Sequence, residues 1–165
     1  MKRNQFVKSI GLGAWITPAM VGRLSVDTEP PLDKALVAEF VGVAHRDKSR
    51  VEILLSENPT LLNAAHDWGH GDFETALGAA SHVGYMELVT YLVDKGAQTN
   101  IFTACLFGQL DIVKSMLKTF PASLHAKGPH GFTLWHHAIR GGDNALEVKS
   151  YLESLGAVEV KIPLY

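Results

Sequence analysis

The sequence predicts an all-α fold of about four stacked helix-turn-helix units, with short β-hairpin or loop fingers between some of them. Three observations predict it. A pattern of Thr, apolar helix, Gly stop and second apolar helix begins at Thr75 and returns at Thr99 and Thr133, with an earlier copy around Ala38. In each copy the first helix is rich in small residues and the second in large ones, which lets an antiparallel pair approach closely. Glycines stand where helices must stop, and a left-handed C-cap is easily adopted only by glycine. Internal repetition of a helix pair outweighs any local motif as a guide to fold.

The chain begins differently. Lys2, Arg3 and Lys8 precede the mildly apolar stretch Ile10 to Val21. About a dozen residues are too few to cross a bilayer and match the apolar region of a signal peptide. RNQFVKSIGLGA resembles the twin-arginine export signal through Arg3, Phe6, Val7 and Lys8, with Asn4 where the second arginine would stand. No small-x-small cleavage site follows. Residues 1–26 therefore read as a leader, implying a periplasmic or otherwise exported protein, with a cytoplasmic protein keeping an uncleaved N-terminal segment as the alternative. SVDTEPPLD then reads as a linker, with Asp33 as a helix N-cap.

The repeat domain spans residues 32–165, in units of about 36–62, 73–98, 99–125 and 131–158. In the first, Ala38, Phe40, Val43, Ala44, Val51, Leu54 and Leu55 fit the pattern, and Asp47 replaces the first glycine. In the second, Leu77, Ala80 and Ser81 lie on one side of a helix that Gly84 ends. Glu87 opens the partner helix, which Gly96 closes. In the third, Ile101, Ala104, Cys105, Gly108, Asp111, Ile112, Val113 and Leu117 take the matching places. In the fourth, Trp135, His136, Ala138, Gly142, Glu147, Val148, Leu152, Gly156 and Ala157 do so after about two extra residues near Asn144. A single pair of this size cannot bury enough apolar surface alone, so the pairs must stack. The expected stacking residues are Phe40, Val51, Leu54, Leu77, Leu88, Leu92, Ile101, Ile112, Trp135, Val148 and Leu152, and Trp135→Ala is expected to cost roughly 3–5 kcal/mol.

These matches carry a family resemblance. The second copy, with Thr75, Leu77, Ala80, Gly84, Glu87, Val89, Leu92, Gly96, Ala97 and Asn100, resembles an ankyrin repeat, and the fourth keeps that family's histidine as His136. The likeness runs from Ala38 to about Val158. Ala76 and Leu134 replace the usual proline. The third copy starts only 24 residues after the second, against the usual 33, so the finger between them must be missing or shortened. Fingers are expected at Asn63–Glu74 and Leu124–Phe132. The resemblance implies a non-catalytic module that binds a protein partner on a concave face, as a monomer. The residues expected there are Trp68, His70, Phe73, His82, Phe102, Leu106, His130, Phe132, His137 and Arg140. An accessory or immunity-like protein would differ only in who the partner is. The family histidine is expected to hydrogen-bond nearby backbone.

Composition excludes several classes. Apolar residues make up 47%, charged residues 19%, and the net charge is -2. That is a folded soluble composition without the basic excess of nucleic-acid binders. No stable membrane insertion is expected once the leader is removed. The single cysteine, Cys105, lies among apolar helix residues and reads as an inert buried thiol. No Gly-x-Ser-x-Gly and no phosphate-cradling loop is present, so no catalytic residue and no cofactor is expected. Among eight histidines, His66 and His70 are four apart but flank a turn, and adjacent His136 and His137 diverge by about 100° on a helix. The spacing supports no metal site. The competing expectation is a metal-binding protein or small enzyme that uses the fingers around His66, His70, His125 and His130.

Overall fold

Side-chain caps legible in the sequence set the helix starts. Asp33 Oδ1 accepts from the backbone N–H groups of Ala35 and Leu36 at 2.6 and 3.3 Å. Thr75, Asn100 and Thr133 accept in the same way from Gly78, Phe102 with Thr103, and His136. Each cap satisfies backbone donors that the first helical turn leaves unpaired. The computed structural model describes residues 30–165, and the leader expected at residues 1–26 lies outside them.

Residues Leu32–Tyr165 form one unit that is mostly helical. In chain order it contains α1 (Lys34–Val43), α2 (Lys48–Glu57), β1 (Ala65–Asp67), β2 (Phe73–Thr75), α3 (Ala76–Val83), α4 (Met86–Asp94), α5 (Ile101–Leu106), α6 (Leu110–Thr119), α7 (Leu134–Arg140) and α8 (Leu146–Ser154). Four consecutive pairs pack together: α1 on α2, α3 on α4, α5 on α6, and α7 on α8. The first helices also pack on one another. α3 touches α1, α5 and α7, and α5 packs extensively on α7. Among the described residues no helix is long and apolar enough to cross a membrane.

Gly84 shows why the first glycine recurs. It ends α3 at φ 78° in the left-handed region, and a Cβ there would come within 3.3 Å of the Arg140 backbone oxygen. Both conformation and space call for glycine. The first finger is a hairpin in which Ala65 pairs with Thr75 and Asp67 with Phe73. α5 follows α4 after a short extended link with no hairpin between them, in line with the shortened spacing. The second finger takes the loop form. It is a loop of short 3-10 turns whose Phe132 pairs with Lys161 near the C-terminus. Pro129 has no N–H to contribute to a strand ladder. The extra residues near Asn144 form a 3-10 turn, Gly142–Ala145.

The core has two clusters. One gathers Phe40, Val51, Leu54, Leu77, Leu88 and Leu92 from the first two pairs, and Leu106 from α5 joins it. The other gathers Ile101, Cys105, Val113, Leu134, Val148 and Leu152. Each fully buried leucine contributes about 2 kcal/mol. Two expected stacking residues depart. Ile112 is 50% exposed, because α6 turns Val113 and Leu117 inward instead. Trp135 is half-buried at the edge of the second cluster, with Lys149 Nζ 5.4 Å from its ring centre. The residue inserted at that step is Leu134. Cys105 is buried, and burial pushes its thiol up to about 12, so it stays protonated and inert.

Candidate metal centre

The hairpin, the ends of α1 and α3, and the second finger meet at one point. Glu74, in β2, has its side chain fully buried. Burying a carboxylate is costly unless positive charge or hydrogen bonds meet it. Its oxygens face three imidazoles. Oε1 lies 2.9 Å from His82 Nε2, and Oε2 lies 3.6 Å from His45 Nε2 and 3.5 Å from His130 Nε2. His45 Nε2 and His82 Nε2 are themselves 3.1 Å apart. One ligating atom from each of the four residues falls within 4.8 Å of all the others.

The outer atoms orient this set. His45 Nδ1 donates to the Gly42 carbonyl at 3.1 Å. His130 Nδ1 donates to Asp72 Oδ2 at 2.7 Å, and the His130 backbone N–H donates to Asp72 Oδ1 at 2.8 Å. These two bonds hold His130 in the left-handed region, at φ 57°, which few non-glycine residues enter. Burial works to raise the Asp72 carboxyl, but the His130 bonds outweigh it, with Lys161 helping, and leave it below the usual carboxylate range. Trp68 Nε1 donates to Glu74 Oε2 at 2.8 Å. Phe132 stacks on His82 at 4.9 Å and on His136 at 4.1 Å between ring centres. His136 Nε2 donates to the His82 carbonyl at 2.7 Å. The repeat histidine thus binds backbone, but that of α3 and not of its own turn. Desolvation lowers the His136 pKa, against that backbone bond, with Arg140 and His82 adding to the lowering.

The partners fix the tautomers. With Nδ1 protonated on His45 and His130, a neutral ring presents a bare Nε2 lone pair. Two such lone pairs face a carboxylate, and Glu74 Oε1 has no hydrogen-bond partner despite its closeness to His82. Acceptor facing acceptor is repulsive unless a cation lies among them, either a proton on Nε2 or a metal ion. Ligand atoms on a tetrahedron about 2.0–2.1 Å from zinc lie about 3.3–3.4 Å apart; the cluster's shortest separations, taken over both oxygens of Glu74, run from 2.9 to 3.6 Å, within a four-residue set whose ligating atoms lie within 4.8 Å of one another. A His carrying its second proton on a carboxylate or carbonyl is the usual outer arrangement of a bound metal. Imidazole and carboxylate donors without thiolate suit zinc, cobalt, nickel, copper(II) or iron(II), and not calcium or magnesium. A groove of about 500 Å³, lined by Glu39, Gly42, Val43, His45, Arg46, Trp68 and His130, opens onto the cluster.

Of the ten residues expected on a binding face, the structure gathers Trp68, His82, His130 and Phe132 at this cluster. Leu106, His82 and His137 are buried, so none presents an exposed face. Leu106 belongs to the core, and His82 is enclosed by Glu74 and Phe132. Phe73 and Phe102 line a separate cavity together with His137. His70 sits exposed at the hairpin tip near Tyr165, and Arg140 is exposed at the end of α7. His66 packs edge-on against Trp68 and His125 is exposed in the second finger, so of the fingers' histidines only His130 reaches the cluster. His45 and Glu74 were not expected from local spacing.

No family model matches this chain, and no curated protein matches it significantly.

Proposed function

We propose that this chain is a divalent transition-metal-binding protein built on an ankyrin-type stack of helix pairs, with His45, Glu74, His82 and His130 as the ligands. The single observation that carries the metal reading is the convergence of three imidazole Nε2 atoms on a buried carboxylate that keeps one oxygen unpartnered. The ankyrin-type reading is supported by four consecutive helix pairs, Thr caps at the first helices of the second and fourth pairs, a left-handed Gly84, and a hairpin ahead of α3. On this reading the scaffold brings together side chains from four separate segments. Glu74 and Asp72 balance a divalent charge.

Cobalt titration of the chelator-stripped full chain tests the proposal. One equivalent should bind, give a visible ligand-field band, and be displaced by zinc. His82→Ala and Glu74→Gln should abolish the band, whereas His66→Ala and His70→Ala should keep it. A folded protein that takes up no cobalt would assign the cluster to a proton-sharing His–Glu network. Loss of the band in the His66 or His70 variant would move the site to the fingers.

A further inference from the structure

We infer a second binding site, independent of the metal cluster, for a small neutral molecule that carries an O–H or N–H donor on a compact apolar body. It is a cavity of about 330 Å³ between the hairpin, α5 and the turn at Gly128–Pro129. That volume is at the lower end of small-ligand pockets. It lies across β2 from the cluster: Phe73 and Thr75 line it, and their side chains alternate with Glu74 along the strand.

Two buried polar atoms mark the site. Ser81 and His137 both line the cavity, with 1% and 0% of their surface exposed, and neither Ser81 Oγ nor His137 Nε2 has a hydrogen-bond partner. His137 Nδ1 donates to the Thr133 carbonyl at 2.7 Å. Burial pushes the ring down to about 4, so it is neutral near pH 7 and Nε2 is a bare acceptor. Buried polar groups are ordinarily paired, and two unpaired ones in residues that line one cavity point to what would complete them. The occupant must bring a donor to His137, and it can exchange a hydrogen bond with the Ser81 hydroxyl. Phe73, Phe102, Pro129 and Leu164 supply apolar walls, and the Phe102 ring centre lies 5.0 Å from that of His137. The charged groups at the cavity are committed elsewhere, which favours a neutral occupant. Asp72 accepts both His130 bonds, and Lys127 Nζ donates to the Pro163 carbonyl at 2.6 Å.

Phenol and anisole test this on the full chain labelled with ¹⁵N-histidine. They share a ring and differ in the donor. Phenol should titrate saturably and move the His137 Nε2 resonance in the direction of an accepted hydrogen bond. Anisole should bind at least about tenfold more weakly, the effect of leaving a buried acceptor unpaired. Ser81→Ala should weaken phenol several-fold, and a folded His137→Phe variant should bind the two probes alike. Equal binding of phenol and anisole to the unsubstituted protein would overturn the donor requirement. No response of His137 to phenol would overturn the site and leave the two polar atoms to water. Neither outcome depends on metal binding, and neither readout uses a proposed ligand of the metal.

Discussion

Glu74→Gln separates charge from shape. The amide keeps the volume of the carboxylate, and its oxygen can still accept from Trp68, so the change removes the anionic ligand and little else. At zinc held one-hundredfold above the dissociation constant, binding stabilises the native state by RT ln(1 + 100), about 2.7 kcal/mol. For a unit of roughly 130 residues, each kcal/mol moves Tm by about 3–5 °C, so the unsubstituted protein should gain about 8–13 °C over its chelated form. Loss of an outer-shell partner alone weakens metal sites by about 10–100-fold, and loss of the charged ligand should reach at least the upper figure. At the same zinc concentration the variant then retains RT ln 2, about 0.4 kcal/mol, or about 1–2 °C. Differential scanning fluorimetry in zinc and in chelator, on both proteins, gives the four transition temperatures required. A zinc shift in the Gln variant equal to that of the parent would refute the reasoning, and so would a parent whose Tm ignores zinc.

Other outcomes follow from single contacts. Trp68→Phe removes the N–H that holds Glu74 Oε2 and should weaken zinc by about 10–100-fold in competition with a chromophoric chelator. Acid should destabilise the metal-free fold through His137, whose folded value lies near 4 against 6.5 for the free ring. Its contribution is present above pH 6.5 and is lost as pH falls through 4, a decline of about 3 kcal/mol that urea midpoints in chelator should record and His137→Phe should flatten. Asp72, also depressed, is lost in the same direction below its ordinary range. Leu92→Ala, fully buried, should cost about 2–5 kcal/mol. Trp135→Ala, at the edge of the core, should cost about half the full aromatic figure, roughly 1.5–2.5 kcal/mol, and urea midpoints rank the two.

Much of the helical layout was legible because its determinants are local. Asp33, Thr75 and Thr133 cap through their own side chains, Gly84 terminates through its own backbone, and the spacing between the second and third copies correctly denied them a hairpin. Packing direction was less legible. Ile112 and Val113 are neighbours of similar polarity, and only the docking of α6 decides which one is buried. The His–Glu cluster leaves no trace among nearby histidines because its members are distant in the chain, 37 residues separating His45 from His82. A signal was nevertheless present. With Asp47 in the place of Gly84, His45 and His82 stand two residues before the turn in successive copies, and stacked units set equivalent positions one above the other. His70 and His130 are matched in conformation as well, both at φ 57°. Glu74 gave no such cue, since a carboxylate in a strand ordinarily faces water. Leu106 shares the register of His82, but it is fully buried because it packs into the first core cluster.

The bond from His130 to Asp72 joins a finger ahead of the fourth pair to the hairpin ahead of the second, skipping the third. In a row of units that touch only adjacent neighbours, the ends fray one after another and unfolding spreads as along a zip. Here α3 touches α7 directly, so the second and fourth pairs are neighbours, and the bond fastens that contact from outside the helices. Terminal units then gain protection against hydrogen exchange that their own small cores would not provide, and the whole array melts as one.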